Sequence, residues 1–223
     1  MIPAGQPADS PRPGPEVVDA DPAALADRIR SLTDGHHRLI VGLTGGPGAG
    51  KSTLAESVRT RLGPAAAVVP MDGFHLAQVV LAAHGTAEVK GAPHTFDAAG
   101  YVALLRRLRD ESAGTVYAPA FDRNLEEPIA GAVPVGPDIR YVLTEGNYLL
   151  LDTAPWPEAA ALLDEVWFLD PGDDERVRRL VDRHVRYGRT ADQGMRRATQ
   201  GSDADNAALI AVTRHRADLI VRT

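Results

Sequence analysis

Apolar residues along this chain alternate between short unbroken runs and runs spaced three or four apart. Leu39, Ile40, Val41 and Leu43 form the first unbroken run, and Leu54, Val58 and Leu62 follow at helical spacing. The first reads as a buried parallel strand, the second as one face of a helix over residues 52–62. The pairing then repeats. Residues 67–72 (AVVPMD) read as a strand ending in a carboxylate, and Asp97 opens a helix with Tyr101, Leu104, Leu105 and Leu108 on its apolar side. Residues 140–146 and 165–170 (EVWFLD) are two more buried strands; residues 173–189 and 205–217 read as helices, and residues 218–222 as a closing strand. Before the first run, Asp21-Pro22 looks like a helix cap followed by proline at the first helical position, with Leu25, Ile29 and Leu32 on the buried face. Strands alternating with helices predict an α/β fold with a parallel sheet and right-handed crossovers. Two stretches break the rhythm. A short helix through Val79, Val80 and Leu81 runs into the loop KGAPHTF, and residues 115–135 predict irregular strands with a hairpin around Gly131.

Composition narrows the class. A chain of 223 residues can build one substantial core, so a single domain over residues 21–223 is expected. Residues 1–20 carry Pro3, Pro7, Pro11, Pro13 and Pro15 with few large apolar groups, which predicts a disordered tail. The net charge of −6 argues against nucleic acid as the main partner, since a phosphate backbone demands a basic surface. With no cysteine and no long apolar run, neither a disulfide framework nor a membrane span is expected, and a cytoplasmic location is.

The turn after the first strand carries chemistry. Gly45, four intervening residues and then Gly50-Lys51-Ser52 match G-x-x-x-x-G-K-[ST], the phosphate-binding P-loop, between a strand and a helix as the mechanism requires. Gly45, Gly46, Gly48 and Gly50, with Pro47 and Ala49 between them, let successive backbone N–H groups point at an anion. The next helix offers its positive end to the same anion. Lys51 would bridge the outer phosphates, Ser52 would ligate Mg²⁺, and Thr53 completes the loop.

A P-loop leaves the reaction open, so the carboxylates decide more. Asp72, at the tip of the strand after the P-loop helix, is placed to accept a proton from an acceptor hydroxyl. A GTPase would instead carry D-x-x-G and N-K-x-D, and the latter is missing. Glu145 ends a strand where a Mg²⁺-side carboxylate belongs; a turn cap at Asp72 and loop-amide satisfaction at Glu145 are the structural alternatives. From residue 173 to 197 eight arginines face five acidic residues, in a chain that is acidic overall, so this helix reads as a phosphate clamp instead of a solvated face. Arg183, Arg186 and Arg189 are the candidates there. Arg123 would clamp the acceptor or pair with Asp122; His75 and His94 could hydrogen-bond an acceptor hydroxyl, and Tyr148 could wall its pocket.

Taken together, GGPGAGKST, VPMDGFH, KGAPHTFD, YAPAFDR, TEGNYLLLD, RLVDRHVRYGR and NAALIAVTRHRADLIV resemble the bacterial nucleoside/nucleotide kinase-like proteins. That group is similar to uridine kinase, phosphoribulokinase and type I pantothenate kinase, and includes proteins provisionally assigned as fructose-transport-system kinases. The resemblance implies a P-loop NTPase fold, three-layer α/β/α with a mostly parallel five-stranded sheet, and a helical lid over about residues 173–200. It implies ATP on residues 45–53, with Lys51, Asp72, Glu145, Arg123 and Arg186 catalytic. It further implies Mg²⁺ held by Ser52 and Glu145, nucleotide contacts from Arg183 and Arg189, and acceptor contacts from Asp72, His75, His94, Arg123 and Tyr148. Two departures stand out: residues 190–201 lack the aromatic lid residue expected, and Asp205 stands where a proline is expected before Asn206. The function expected is transfer of the γ-phosphoryl group of ATP to a hydroxyl of a sugar, nucleoside or pantothenate-like metabolite. No nucleic-acid or membrane partner is expected, and a homodimer is left open. The rival is a nucleotide-dependent switch or chaperone acting on a protein partner, which would hydrolyse slowly without an acceptor.

Overall fold

The computed structural model describes residues 14–33, 37–110 and 114–223. Its elements run β1 (Glu16–Asp19), α1 (Pro22–Leu32), β2 (Leu39–Thr44), α2 (Lys51–Leu62), β3 (Ala66–Pro70), α3 (Gln78–His84), α4 (Ala98–Arg109), β4 (Val116–Asp122), β5 (Glu127–Val135), β6 (Tyr141–Glu145), α5 (Trp156–Ala160), β7 (Glu165–Asp170), α6 (Asp173–Arg186), α7 (Ala191–Gln200), α8 (Ser202–Ala211) and β8 (Leu219–Arg222). The main sheet has the order β1-β8-β7-β2-β6-β3, and every neighbouring pair is parallel.

Period-two alternation divides the core between the two faces of this sheet. Leu39, Val41 and Leu43 of β2 point toward α1 and α2, where they meet Leu25, Ile29, Leu54 and Val58. Ile40 and Val142 point to the other face and pack with Tyr101, Leu105, Leu108 and Trp156 of α4 and α5. Burial on both faces is why these strands read as continuous apolar runs. Charge ties α1 to β7: Arg28 grips Glu165 through two 2.9 Å bonds, and Trp167 Nε1 donates to the same carboxylate at 2.7 Å.

Four expectations are corrected. The sheet has six strands, not five, because Glu16–Asp19 adds an edge strand beside β8. Those residues therefore do not belong to a disordered tail: Val18 packs on the apolar cluster and the backbone gains a full ladder. The rest of the expected tail through residue 13 lies outside the described residues. The β4–β5 hairpin reverses over residues 123–126, not around Gly131, since the Asp122 carboxylate accepts from the Asn124 and Leu125 N–H groups at 2.8 and 3.1 Å and folds the turn there. Gly131 instead sits inside β5 with φ +68°, and the ladder shifts register between Ala118 and Ala120. Finally, α8 stops at Ala211, and a 3₁₀ turn over Arg214–Arg216 carries the chain to β8; the Thr213 hydroxyl donates to the Ile210 carbonyl at 2.7 Å as the helix ends.

Candidate active site

The carboxyl ends of β2, β6 and β3 share one rim. Ladder register sets Leu43 and Pro70 on either side of Glu145, so the P-loop after β2, Glu145 at the end of β6 and Asp72 just past β3 converge. Such a rim is where open α/β sheets bind ligands. The loop over residues 45–50 bends through left-handed backbone. At Gly48, φ is +86° and a Cβ would lie 2.6 Å from the Arg176 carbonyl oxygen, so α6 can rest on the loop only because no side chain intervenes.

Lys51 is half-buried, and its ammonium donates to the carbonyls of Gly45 and Gly46 at 2.9 and 3.2 Å and to Asn147 Oδ1 at 2.7 Å. Burial lowers its pKa to about 8, against the opposing pull of Glu145 and Asp72. Ser52 donates to Glu145 Oε1 at 3.1 Å. Glu145 is only 6% exposed, and burial, reinforced by repulsion from Asp72, pushes its pKa up to about 7. A carboxylate and an ammonium held this close with unfavourable hydration are primed for a ligand that brings its own charge.

On the far side of Glu145, Arg123 Nη2 bonds Asp72 Oδ2 at 3.1 Å. The 3₁₀ turn Met71–Phe74 that carries Asp72 is clamped by the hairpin: a Cβ at Gly73 would lie 2.3 Å from the Pro119 carbonyl oxygen. His75 pairs with Phe96 across an isolated antiparallel bridge, and its ring lies 4.0 Å from that of Phe96 and 4.8 Å from that of Phe121. Its Nδ1 donates to the Asp72 carbonyl at 2.8 Å, and burial lowers its pKa, so the neutral ring keeps Nε2 as an acceptor. Tyr148 donates its hydroxyl to the Gly91 carbonyl, which also receives Asn206 Nδ2 at 3.2 Å. This ties the KGAPHTF loop to β6 and α8.

The structure thus brings Lys51, Ser52, Asp72, Glu145, Arg123 and His75 together, with Tyr148 supporting the loop beside them. Arg183 joins them, since its charge acts on Lys51 and it feels both Asp72 and Arg123. Arg186 and Arg189 do not join. Arg186 is exposed at the last residue of α6, about 15 Å along the axis from Arg176, so it overshoots the loop. Arg189 is exposed, beyond the helix, and donates to His184 Nδ1 at 3.2 Å. His94 is exposed on the 3₁₀ turn Pro93–Thr95, and no hydrogen bond ties it to the cluster.

Three groups that sequence reasoning passed over matter here. Asn147 holds Lys51, and its place directly after Glu145-Gly146 was the available signal. Arg176 and Arg179, not Arg186, are the arginines on the P-loop: Arg179 Nη1 reaches the Ala49 carbonyl at 3.5 Å, and the Arg176 side chain passes 3.3 Å from where a Gly46 Cβ would stand. Spacing of i, i+3 and i+7 from Arg176 through Arg179 to Arg183 marks one helix face. The buried Nη1 of Arg176 has no hydrogen-bond partner, an orphan donor beside the loop that an anionic ligand would satisfy. The residues present therefore fit a nucleoside triphosphate.

No family model matches the chain. A Schizosaccharomyces pombe protein provisionally named a uridine kinase is 34% identical over 183 residues, which cover 78% of this chain and 77% of that protein. An uncharacterised Escherichia coli protein is 34% identical over 189 residues, covering 82% and 77%. Among solved structures, a Silicibacter protein provisionally described as a fructose transport system kinase superposes with TM-score 0.82 at 39% identity, covering 90% of this chain and 98% of that one. The chain belongs to the uridine kinase, phosphoribulokinase and pantothenate kinase superfamily of P-loop kinases. Members named alongside it include ATP-dependent kinases, and the chain is a phosphotransferase of that superfamily. Its kinase fold extends to a Saccharomyces cerevisiae P-loop protein at TM-score 0.76 and 20% identity. Among the described residues no helix is long and apolar enough to cross a membrane.

Proposed function

We propose that this kinase transfers the γ-phosphoryl group of Mg²⁺-ATP to a hydroxyl of a small metabolite, with Asp72 as the base. The observation that carries this reading is the spacing of two carboxylates on one rim. Glu145 bonds the P-loop serine, and Asp72 stands apart from it, paired with Arg123. Donor and acceptor chemistry thus each have a carboxylate.

The P-loop amides and Lys51 bind the β- and γ-phosphates, and Lys51 exchanges its bonds to the loop carbonyls for phosphate oxygens. Ser52 and Glu145 are the side chains that would hold Mg²⁺. When bound, the ion would supply charge neutralisation at the phosphates. Asp72 accepts the acceptor's proton as its oxygen attacks in line, and Arg123 orients the carboxylate until the acceptor arrives. His75 Nε2 takes a hydrogen bond from an acceptor hydroxyl. Arg176, Arg179 and Arg183 spread the charge that develops on the transferring group.

The reading is tested by ADP release from Mg²⁺-ATP against a panel of sugars, nucleosides, sugar phosphates, hydroxy acids and pantothenate. One compound should raise turnover many-fold, and Asp72→Asn should abolish the rise while leaving nucleotide binding intact. Slow hydrolysis indifferent to every compound would favour a switch ATPase.

A further inference from the structure

We propose that the acceptor is itself an anion, a hydroxylated metabolite bearing a carboxylate or phosphate that docks on Lys90 and Arg123. The proposal rests on the kinase reading of the same site.

Lys90 comes from the loop before α4, and its ammonium lies 4.9 Å over the Phe121 ring with one bond to the Glu126 carbonyl. Among the described residues no carboxylate pairs with it. An ammonium has three donors, so two stay available. The Arg123 guanidinium carbon lies 6.0 Å from the same ring, and one of its donors reaches Asp72. Phe121 therefore carries a cation from each of two separate segments, beside the His75 ring.

A charge census says what these cations await. Lys90, Arg123 and Asp72 all act on His75, while Arg123, Arg183, Asp72 and Glu145 all act on Lys51. The nearby Asp203 lies 2.7 Å from His184 Nε2 through one oxygen and 4.0 Å from Arg183 Nη2 through the other. Lys51, Lys90, Arg123 and Arg183 thus gather around Asp72, Glu145 and Asp203, with Arg123 already on Asp72 and Arg183 beside Asp203, in a chain whose net charge is −6. ATP satisfies Lys51 and the α6 arginines. It does not account for Lys90, which the Asp72 turn and the hairpin set on the acceptor side. A neutral acceptor would leave Lys90 and Arg123 facing hydroxyls, whereas an oxyanion takes Lys90's spare donors and draws Arg123 off Asp72, freeing the base as the acceptor seats.

The first test fills the P-loop with a non-hydrolysable ATP analogue and Mg²⁺, then follows thermal stability as inorganic phosphate is added. Wild type should gain stability at millimolar phosphate, Lys90→Gln should need at least tenfold more, and Lys90→Arg should restore the response. Equal responses in wild type and Lys90→Gln would overturn the anion site. The second test compares ADP release with sugar phosphates, hydroxy acids, and neutral sugars and nucleosides. Stimulation by phosphorylated or carboxylated compounds, with KM raised at least tenfold and kcat little changed in Lys90→Gln, supports the proposal and tells the two anions apart. Stimulation by neutral compounds alone, indifferent to Lys90→Gln, overturns it and leaves the kinase standing. Phosphate binding that depends on Lys90, without turnover on any compound, keeps the anion site and sinks the kinase reading.

Discussion

The donor and acceptor halves of this site are built on different principles. The donor half centres on one contiguous stretch, residues 44–53, whose backbone forms the cradle and whose single long side chain, Lys51, is held by two loop carbonyls and by Asn147. The acceptor half is assembled from four distant segments: Asp72 to His75, Lys90 to Phe96, the hairpin from Phe121 to Arg123, and Tyr148. Backbone recognition of a phosphate tolerates little change, whereas side chains gathered from separate segments can be altered one at a time. The shared donor chemistry of a superfamily with many acceptors follows from that contrast.

Breaking each half should therefore fail differently. Asp72→Asn should cost on the order of 10²–10⁴ in kcat with the nucleotide Kd unchanged, measured by steady-state kinetics and calorimetry. Lys51→Ala should lower kcat by about 10²–10³ and also weaken nucleotide binding, because its ammonium serves ground state and transition state alike. A full-rate Asp72→Asn enzyme would remove the division between the halves.

Legibility followed the same contrast. The donor half could be read directly, since spacing alone located Gly45 to Thr53 between a buried strand and a helix. The strands leading to Asp72 and Glu145 were also legible, because burial on both faces leaves an unbroken apolar run, although the first stops at Pro70 and Asp72 lies on the 3₁₀ turn after it. The edge strand was not: four residues following a proline-rich stretch carry no such signal, and only pairing with β8 makes them a strand. The arginine-rich helix was found, and Arg183 with it, but Arg176 and Arg179 beside the loop were not singled out. Composition names a helix, and only its position on the P-loop decides that Arg176 and Arg179 rest there while Arg186 overshoots. The cation pair on Phe121 was out of reach, because Lys90 and Arg123 meet only through the hairpin.

Smaller perturbations sharpen the picture. Gly73→Ala forces a Cβ against the Pro119 carbonyl and must shift the hairpin, so the acceptor KM should rise about tenfold or more while the nucleotide Kd holds. In metal-free, nucleotide-free protein, Glu145 has its folded pKa raised from 4.5 to about 7, so its ionisation destabilises the fold progressively as pH rises through that window and fully above it. Glu145→Gln should accordingly gain thermal stability over wild type between about pH 4.5 and 7, by at most a few kcal/mol, with little difference below that window. Arg186→Ala should leave kcat within about twofold, where Arg183→Ala loses about tenfold or more.

The central claim is that the γ-phosphoryl group ends on an organic hydroxyl. It is tested most directly by following γ-labelled ATP through a single turnover with the compound that best stimulates ADP release. The account predicts label in a phosphate ester equal to the ADP formed. Label recovered wholly as inorganic phosphate, whatever compound is present, would contradict it.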